Sequence, residues 1–209
     1  MLVSVNDEKR TAATQSCTYS YDRLINAAGA YADQIARLAG VGQQYRLVPF
    51  KGIYYKLTSQ MADRVRGSIY PVPNPELPFL GIHFTRGISN DVYIGPTAIP
   101  ALGRENYGVI NGAKPIESIE TGLQLARLYL VNQQNFRCLV HNEIQLYRKG
   151  NFLAAARQLV DKLDPGWVIP TPKVGIRPQL VNIRERRLEM DFLMRKGENS
   201  VHVLNSISP

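Results

Sequence analysis

The sequence predicts an α+β protein, a mostly antiparallel sheet with a helical cluster beside it. Three observations carry this. Short apolar or alternating runs, punctuated by proline and glycine, fill the first half; three segments with apolar spacings of three and four residues follow; two strand-like runs close the chain. At 209 residues, 44% of them hydrophobic and 20% charged, the chain can bury a core as one large domain or two small ones.

The opening reads as a strand and a charged turn up to about Thr18, and Tyr19–Ala27 as one further strand. Gly29 then turns the chain into a helix, Tyr31–Leu38, with Ile35 and Leu38 on one side. A strand–Gly–helix junction brings bare amides and a positive helix end towards an anion, although many such junctions bind nothing. Tyr45–Leu57 is a long strand-like run broken at Pro49 and Gly52, with Lys51, Tyr54 and Tyr55 beside the break. Gly67–Tyr70 reads as another strand.

Prolines 71, 73, 75 and 78 lead into an apolar strand, Phe79–Phe84, that ends in His-Phe-Thr-Arg. A turn at Gly87–Asp91 and a second strand, Val92–Gly95, complete a hairpin. Strand side chains alternate, so His83 and Thr85 face one way, Phe84 and Arg86 the other. Polar groups at the end of an apolar strand suggest the wall of a site.

From Lys114 the pattern becomes helical. Ile116, Ile119, Leu123, Ala126 and Leu130 form one stripe, with Pro115 at the start, where its missing N–H costs nothing. Phe136, Leu139, Val140, Ile144 and Tyr147 form a second. Phe152, Ala155, Ala156, Leu159 and Leu163 form a third, which Asp164-Pro165-Gly166 stops. All three read as core packing, and His141 and Glu143 as helix surface. After Trp167 comes a proline-rich return and then a hairpin, with Leu188–Leu193 and Val201–Leu204 as strands and Lys196–Asn199 as the turn. Arg184–Arg187 precedes it and faces solvent.

The net charge of +8 would suit nucleic acid, an anionic membrane surface or small acidic substrates, but the basic residues are scattered, so a solvated surface is the default and nucleic-acid binding ranks last. Cys17 and Cys138 have no metal-ligand spacing and suit a reducing compartment. His83, His141 and His202 are too dispersed to form a spaced ligand set, so no metal is expected. MLVSVNDEKR is no signal peptide and no run is long enough to span a bilayer. The expectation is a cytoplasmic protein, with peripheral membrane contact left open.

Several stretches resemble a known family. GIHFTR (81–86) with VYIGPTAIPALGRENY (92–107) is similar to the signature of the L-2-hydroxyglutarate oxidase/dehydrogenase family, flavoproteins of the D-amino acid oxidase superfamily. LINAAGAYADQIARLAG (24–40), VPFKGIYYKL (48–57), VGIRPQL (174–180) and HVLNSISP (202–209) match in the same order. The resemblance spans nearly the whole chain but only about the second half of the family's sequence. It implies FAD as cofactor and a split arrangement: 1–47 as part of an FAD-binding domain, 48–166 as a substrate-binding domain, and 167–209 as a returning FAD-domain segment.

The resemblance also implies roles. Asn26, Ala28 and Gly29 would approach FAD, as would Gly175 and Ile176 in the loop near the flavin, with Asn205 and Ser208 beside its polar edge. His83 would be the base that takes the substrate hydroxyl proton. A dicarboxylate needs two cationic contacts, assigned to Arg177 and Arg86 with Lys51 in reserve, while Tyr54 or Tyr55 offers a phenol. Two departures stand out. No G-x-G-x-x-G occurs, since Gly40-Val41-Gly42 runs on into Gln43-Gln44-Tyr45, and Ile53 replaces the acidic residue that relatives usually carry. Two readings follow: a fragment of an FAD-dependent oxidoreductase acting on L-2-hydroxyglutarate or a similar 2-hydroxy acid, or a non-catalytic remnant or subunit whose partner chain or dimer mate completes the FAD domain.

Overall fold

The computed structural model describes residues 2–74 and 77–206; Pro75 and Ser208 lie outside them. The chain opens with a three-stranded antiparallel meander, β1 (Leu2–Asn6), β2 (Thr11–Thr14) and β3 (Thr18–Ser20). The expected single strand Tyr19–Ala27 is divided here. The Tyr21 N–H donates to Arg10 O at 2.9 Å and its hydroxyl to Asp7 Oδ1 at 3.1 Å, which ends the meander. β4 (Leu24–Asn26) then joins a different sheet. A turn at Gly29–Tyr31 opens α1 (Ala32–Leu38), whose buried residues are Ala32, Asp33 and Ala36 rather than the expected Ile35 and Leu38.

The central sheet is built on β5 (Tyr45–Leu57). After a single helical turn, α2 (Ser59–Ala62), come β6 (His83–Arg86), β7 (Val92–Gly95) and the short β8 (Ile99–Pro100). Helices α3 (Pro115–Val131), α4 (Phe136–Gln145) and α5 (Lys149–Arg157) follow, then the long return strand β9 (Val168–Asn182) and β10 (Arg187–Leu188). The sheet order is β10-β9-β5-β7-β6, with β8 on β5, and every pair is antiparallel. The apolar run before His83 is not a strand throughout. Gly81 takes φ +82°, so ladder pairing starts only at His83. Phe79 instead packs on Phe50, ring centroids 5.0 Å apart.

β11 (Leu193–Lys196) and β12 (Ser200–Asn205) form the terminal hairpin, and β12 pairs in parallel with β4, Ser200 opposite Leu24 and His202 opposite Asn26. The expected strand Leu188–Leu193 is therefore two pieces in two sheets. The Asn205 amide holds the crossing by donating to Glu189 O (3.2 Å) and Asp191 O (2.7 Å).

Apolar burial concentrates in three places. Phe84, Val92 and Ile94 pack with Phe152 and Leu163 beneath α5; Val48, Phe50 and Val181 with Leu128, Phe136 and Leu139 beneath α3 and α4; Leu47, Leu180 and Leu204 with Ala32 and Ala36 beneath α1. The α3 stripe named from the sequence is not core. Ile116, Ile119, Leu123 and Leu130 are between 53% and 77% exposed, because Thr121 and Leu128, with Leu125 partly buried, make the inward face.

Candidate functional site

A cleft of about 320 Å³ lies against the face of the central sheet where β5 and β9 run side by side. β5 lines it with Phe50, Gly52 and Tyr54, the alternate residues of one strand face. Tyr70 and the 79–83 segment, with Gly81 and His83, form a second wall; Pro96, Thr97 and Ala98 form a third. Gly175, Ile176 and Arg177 of β9 and Glu143 of α4 complete it. A Cβ on Gly52 would stand 2.5 Å from the Pro96 Cβ, so this β5 position has no room for a side chain.

The imidazole of His83 is held on two sides. Its Nδ1 lies 2.9 Å from Gly81 O, and its ring stacks on Tyr70 with centroids 4.7 Å apart. A carbonyl oxygen only accepts, so Nδ1 carries the proton and the neutral ring keeps its lone pair at Nε2. The Arg177 guanidinium sits over the Phe79 ring at 4.9 Å and, among the described residues, meets no carboxylate. Burial pulls its pKa below the usual arginine value but leaves it a cation. Burial also pushes up the Tyr54 phenol, which stays a hydrogen-bond donor.

Three residues expected in the substrate site are occupied elsewhere. Lys51 falls on the opposite face of β5 and donates to Gly108 O at 2.6 Å. Tyr55 points into the core, its ring 4.6 Å from that of Phe152. Arg86 lies on the far face of β6 from His83 and donates to Ala62 O (2.7 Å) and Val65 O (2.6 Å), closing the end of α2. Alternation along a strand separates each of them from the cleft. Conversely, Glu143 was read as helix surface but is buried on the cleft wall. Its place in α4, on the same side as Phe136, Leu139 and Val140, is the signal that could have found it.

Of the residues expected near the cofactor, Gly29 and Asn205 lie at a second, smaller recess of about 110 Å³, whereas Gly175 and Ile176 line the first cleft. The recess is lined by Ala27, Gly29, Leu47, Pro178, Val203, Leu204, Asn205 and Ser206, and so gathers the two chain ends. Gly29 takes φ +54°, with nothing within 4 Å of where a Cβ would stand. Such a φ is open to glycine at little cost. Asn26 does not contact this space through its side chain. Its amide donates to Ala32 O (2.8 Å) and His202 Nδ1 (3.0 Å), while its oxygen takes the Ala28 N–H at 3.2 Å, so that Ala28 amide is engaged too. The Asn205 side chain is likewise engaged, in bridging Glu189 and Asp191. Consecutive β9 residues link the two spaces, Arg177 in the cleft and Pro178 in the recess.

A buried chain of hydrogen bonds joins β4, β12 and Asp7. Ser200 donates to Asp7 Oδ2 at 2.7 Å, His202 Nε2 donates to Ser200 Oγ at 2.9 Å, and Asn26 donates to His202 Nδ1. Burial lowers the His202 pKa against the pull of the Asp7 charge, so the fold holds it neutral. A histidine whose pKa falls on folding contributes nothing unfavourable above its unfolded value of about 6.5, and destabilises as pH drops below it. Urea unfolding at pH 7.5 and 5.5 is expected to show a loss of up to about 1.4 kcal/mol per pH unit. That loss should shrink in His202→Gln; an equal loss in both proteins would discount His202.

Among the described residues no helix is long and apolar enough to cross a membrane, and no group of three or more His, Cys, Asp or Glu could hold a metal ion. Cys17 and Cys138 are both free and exposed.

The cleft and the recess adjoin along β9. The FAD dependent oxidoreductase profile (DAO) matches residues 2–204, and the chain belongs to that family. It is 32% identical over 200 residues to the L-2-hydroxyglutarate dehydrogenase of Indibacter alkaliphilus, covering 94% of this chain and 48% of that protein. It is also 32% identical over 195 residues to the mitochondrial L-2-hydroxyglutarate dehydrogenase of Homo sapiens (89% and 40%), and 29% identical over 198 residues to the Escherichia coli K12 enzyme (93% and 45%). The chain thus spans about half the length of these relatives. A solved structure, dithionite-reduced L-alpha-glycerophosphate oxidase from Mycoplasma pneumoniae with FAD bound, shares the fold at a TM-score of 0.50 and 16% identity, over 97% of this chain and 44% of that one.

Proposed function

We propose that this chain is the substrate-binding part of an FAD-dependent oxidoreductase that converts L-2-hydroxyglutarate, or a similar 2-hydroxy acid, into the 2-oxo acid. Residues 48–166 form its substrate side, and 1–47 with 167–209 contribute to its cofactor side. The observation that carries this reading is the pairing of a tautomer-fixed His83 with the uncompensated Arg177 cation in one cleft.

Arg177 holds the substrate carboxylate through two parallel hydrogen bonds. That fixes the neighbouring carbinol towards His83, whose Nε2 lone pair takes the hydroxyl proton. The stack on Tyr70 and the bond to Gly81 O keep the imidazole from turning away. Tyr54 donates from the β5 side. Flavin, when bound, supplies the acceptor for the α-hydrogen and its electron pair. The recess fits one edge of such a group: Gly29 leaves space open at its lip, and Leu204–Ser206 present a strand end beside it. At about 110 Å³ it does not enclose a dinucleotide, which is the observation favouring a partner chain or dimer mate as the source of the rest.

The test is the visible spectrum of the purified chain after incubation with FAD and removal of free cofactor. A retained flavin band that bleaches anaerobically with L-2-hydroxyglutarate is expected. Arg177→Ala should keep the band and weaken substrate binding roughly 10- to 150-fold, the worth of a hydrogen-bonded charge. A colourless chain would overturn the stand-alone enzyme in favour of a subunit that needs a nucleotide-binding partner.

A further inference from the structure

Among the described residues the cleft holds one permanent cation where a dicarboxylate would be expected to need two, and it holds an acid besides. Lys51 and Arg86 are tied to backbone carbonyls outside it, which leaves Arg177. Glu143 is only 9% exposed and lines the same space. Its Oε2 accepts the Ala98 N–H at 2.5 Å, and no hydrogen bond from another described residue reaches its second oxygen. Since no buried side-chain oxygen among the described residues lacks a partner, that second oxygen is accessible, on a side chain that lines the cleft.

Burial pushes the Glu143 carboxyl above its ordinary range, and the single Ala98 amide only partly opposes this. An ionised Glu143 would repel a second substrate carboxylate across a low-dielectric space. A protonated one reverses the sign, because its O–H donates a charge-assisted hydrogen bond.

We propose that Glu143 works as a neutral carboxylic acid whose O–H donates to the substrate's second carboxylate, so that the cleft takes up a dicarboxylate together with one proton. This rests on the reading of the cleft as the 2-hydroxy acid site and supplies the contact that Arg86 and Lys51 do not. The other titratable groups facing the cleft are Tyr54 from β5, Tyr70 from the connecting segment, His83 from β6 and Arg177 from β9. From α3, packed against α4, comes Tyr129, whose hydroxyl meets His141 at 2.9 Å on the exposed side. His83 and Arg177 share the cleft with Glu143, so the comparison is made between ligands and between variants.

The experiment is calorimetric titration of the purified chain, with and without FAD, by glutarate (two carboxylates) and butyrate (one) from pH 6 to 9. Two buffers of different ionisation heat report proton uptake. Glutarate affinity is expected to fall about tenfold per pH unit once Glu143 ionises, with one proton taken up per ligand beyond any taken up with butyrate. Glu143→Gln keeps both an acceptor for Ala98 and a donor for the ligand. It should retain glutarate binding, confirmed on protein with an unchanged melting temperature, and lose the extra pH slope. Equal slopes and proton counts for the two ligands in the unsubstituted chain would overturn the proposal, as would an unaltered slope in the Gln variant. Failure to bind either carboxylate at any pH would overturn the substrate reading of the cleft itself, and the proposal with it.

Discussion

Arg104→Ala is expected to cost about 3–5 kcal/mol of stability, the loss typical when one partner of a buried ion pair is removed. Arg104 lies in the loop after β8, yet its guanidinium reaches α1. Nη1 meets Ala30 O and, at 2.5 Å, Asp33 Oδ1; Nη2 meets Asp33 Oδ2 at 3.0 Å and Leu47 O at 3.3 Å. The Asp33 side chain has no exposed surface and also takes the Leu47 N–H at 3.1 Å and Arg37 Nη1 at 3.0 Å. Burial alone would raise the Asp33 pKa, but the Arg104 hydrogen bonds and charge outweigh it and hold the carboxyl below its ordinary range. The stability this contributes is present above the unfolded pKa of about 3.9 and is lost as pH falls through the lower folded value. In Arg104→Ala a buried carboxylate loses its main partner, so the deficit should be largest near neutral pH and shrink in acid. Urea unfolding at pH 7 and pH 4 checks both points. A neutral-pH loss under 1 kcal/mol would mean that the ion pair does not join the loop to α1.

His83→Gln in the flavin-loaded protein is expected to lower kcat by about 10²–10⁴-fold, the usual worth of a positioned general base, with a much smaller change in substrate affinity. Glutamine can still donate to Gly81 O, so the segment holding residues 79–83 should keep its course while the proton acceptor is gone. A kcat within a few-fold of the unsubstituted protein would remove His83 from the proton transfer and leave the imidazole as a packing partner of Tyr70.

Most of the architecture was legible because its signals are local. The 3–4 spacing marks α4 and α5, the break at Asp164-Pro165-Gly166 stops the helical run, and the turn at Gly87–Asp91 marks the β6–β7 hairpin. Strand alternation already implied that His83 and Arg86 would part company. What local signals cannot say is which side of an element the sheet will take. The apolar stripe of α3 is real, but the sheet lies behind Thr121 and Leu128 instead. Glu143 was misread for the same reason, since a single acid on an amphipathic helix reads as surface until a neighbouring amide, here that of Ala98, is found to need it. Asn26 and Asn205 were assigned to the cofactor by resemblance, and only long-range geometry reveals that their amides serve the fold.

The parallel pairing of β4 with β12 constrains how this molecule can be made. Asn26 and His202 stand 176 residues apart, so the sheet that joins β4 to β12 cannot form until β12 has been synthesised. Until then β4 waits as an unpaired edge bearing Ile25, 73% exposed even in the finished fold. Loop-closure entropy rises only slowly with length, so the delay is one of timing more than of energy. During that interval the nascent chain offers an open template for strand addition. A ribosome pause before β12, or a chaperone occupying β4, would therefore affect yield without altering the stability of the folded protein.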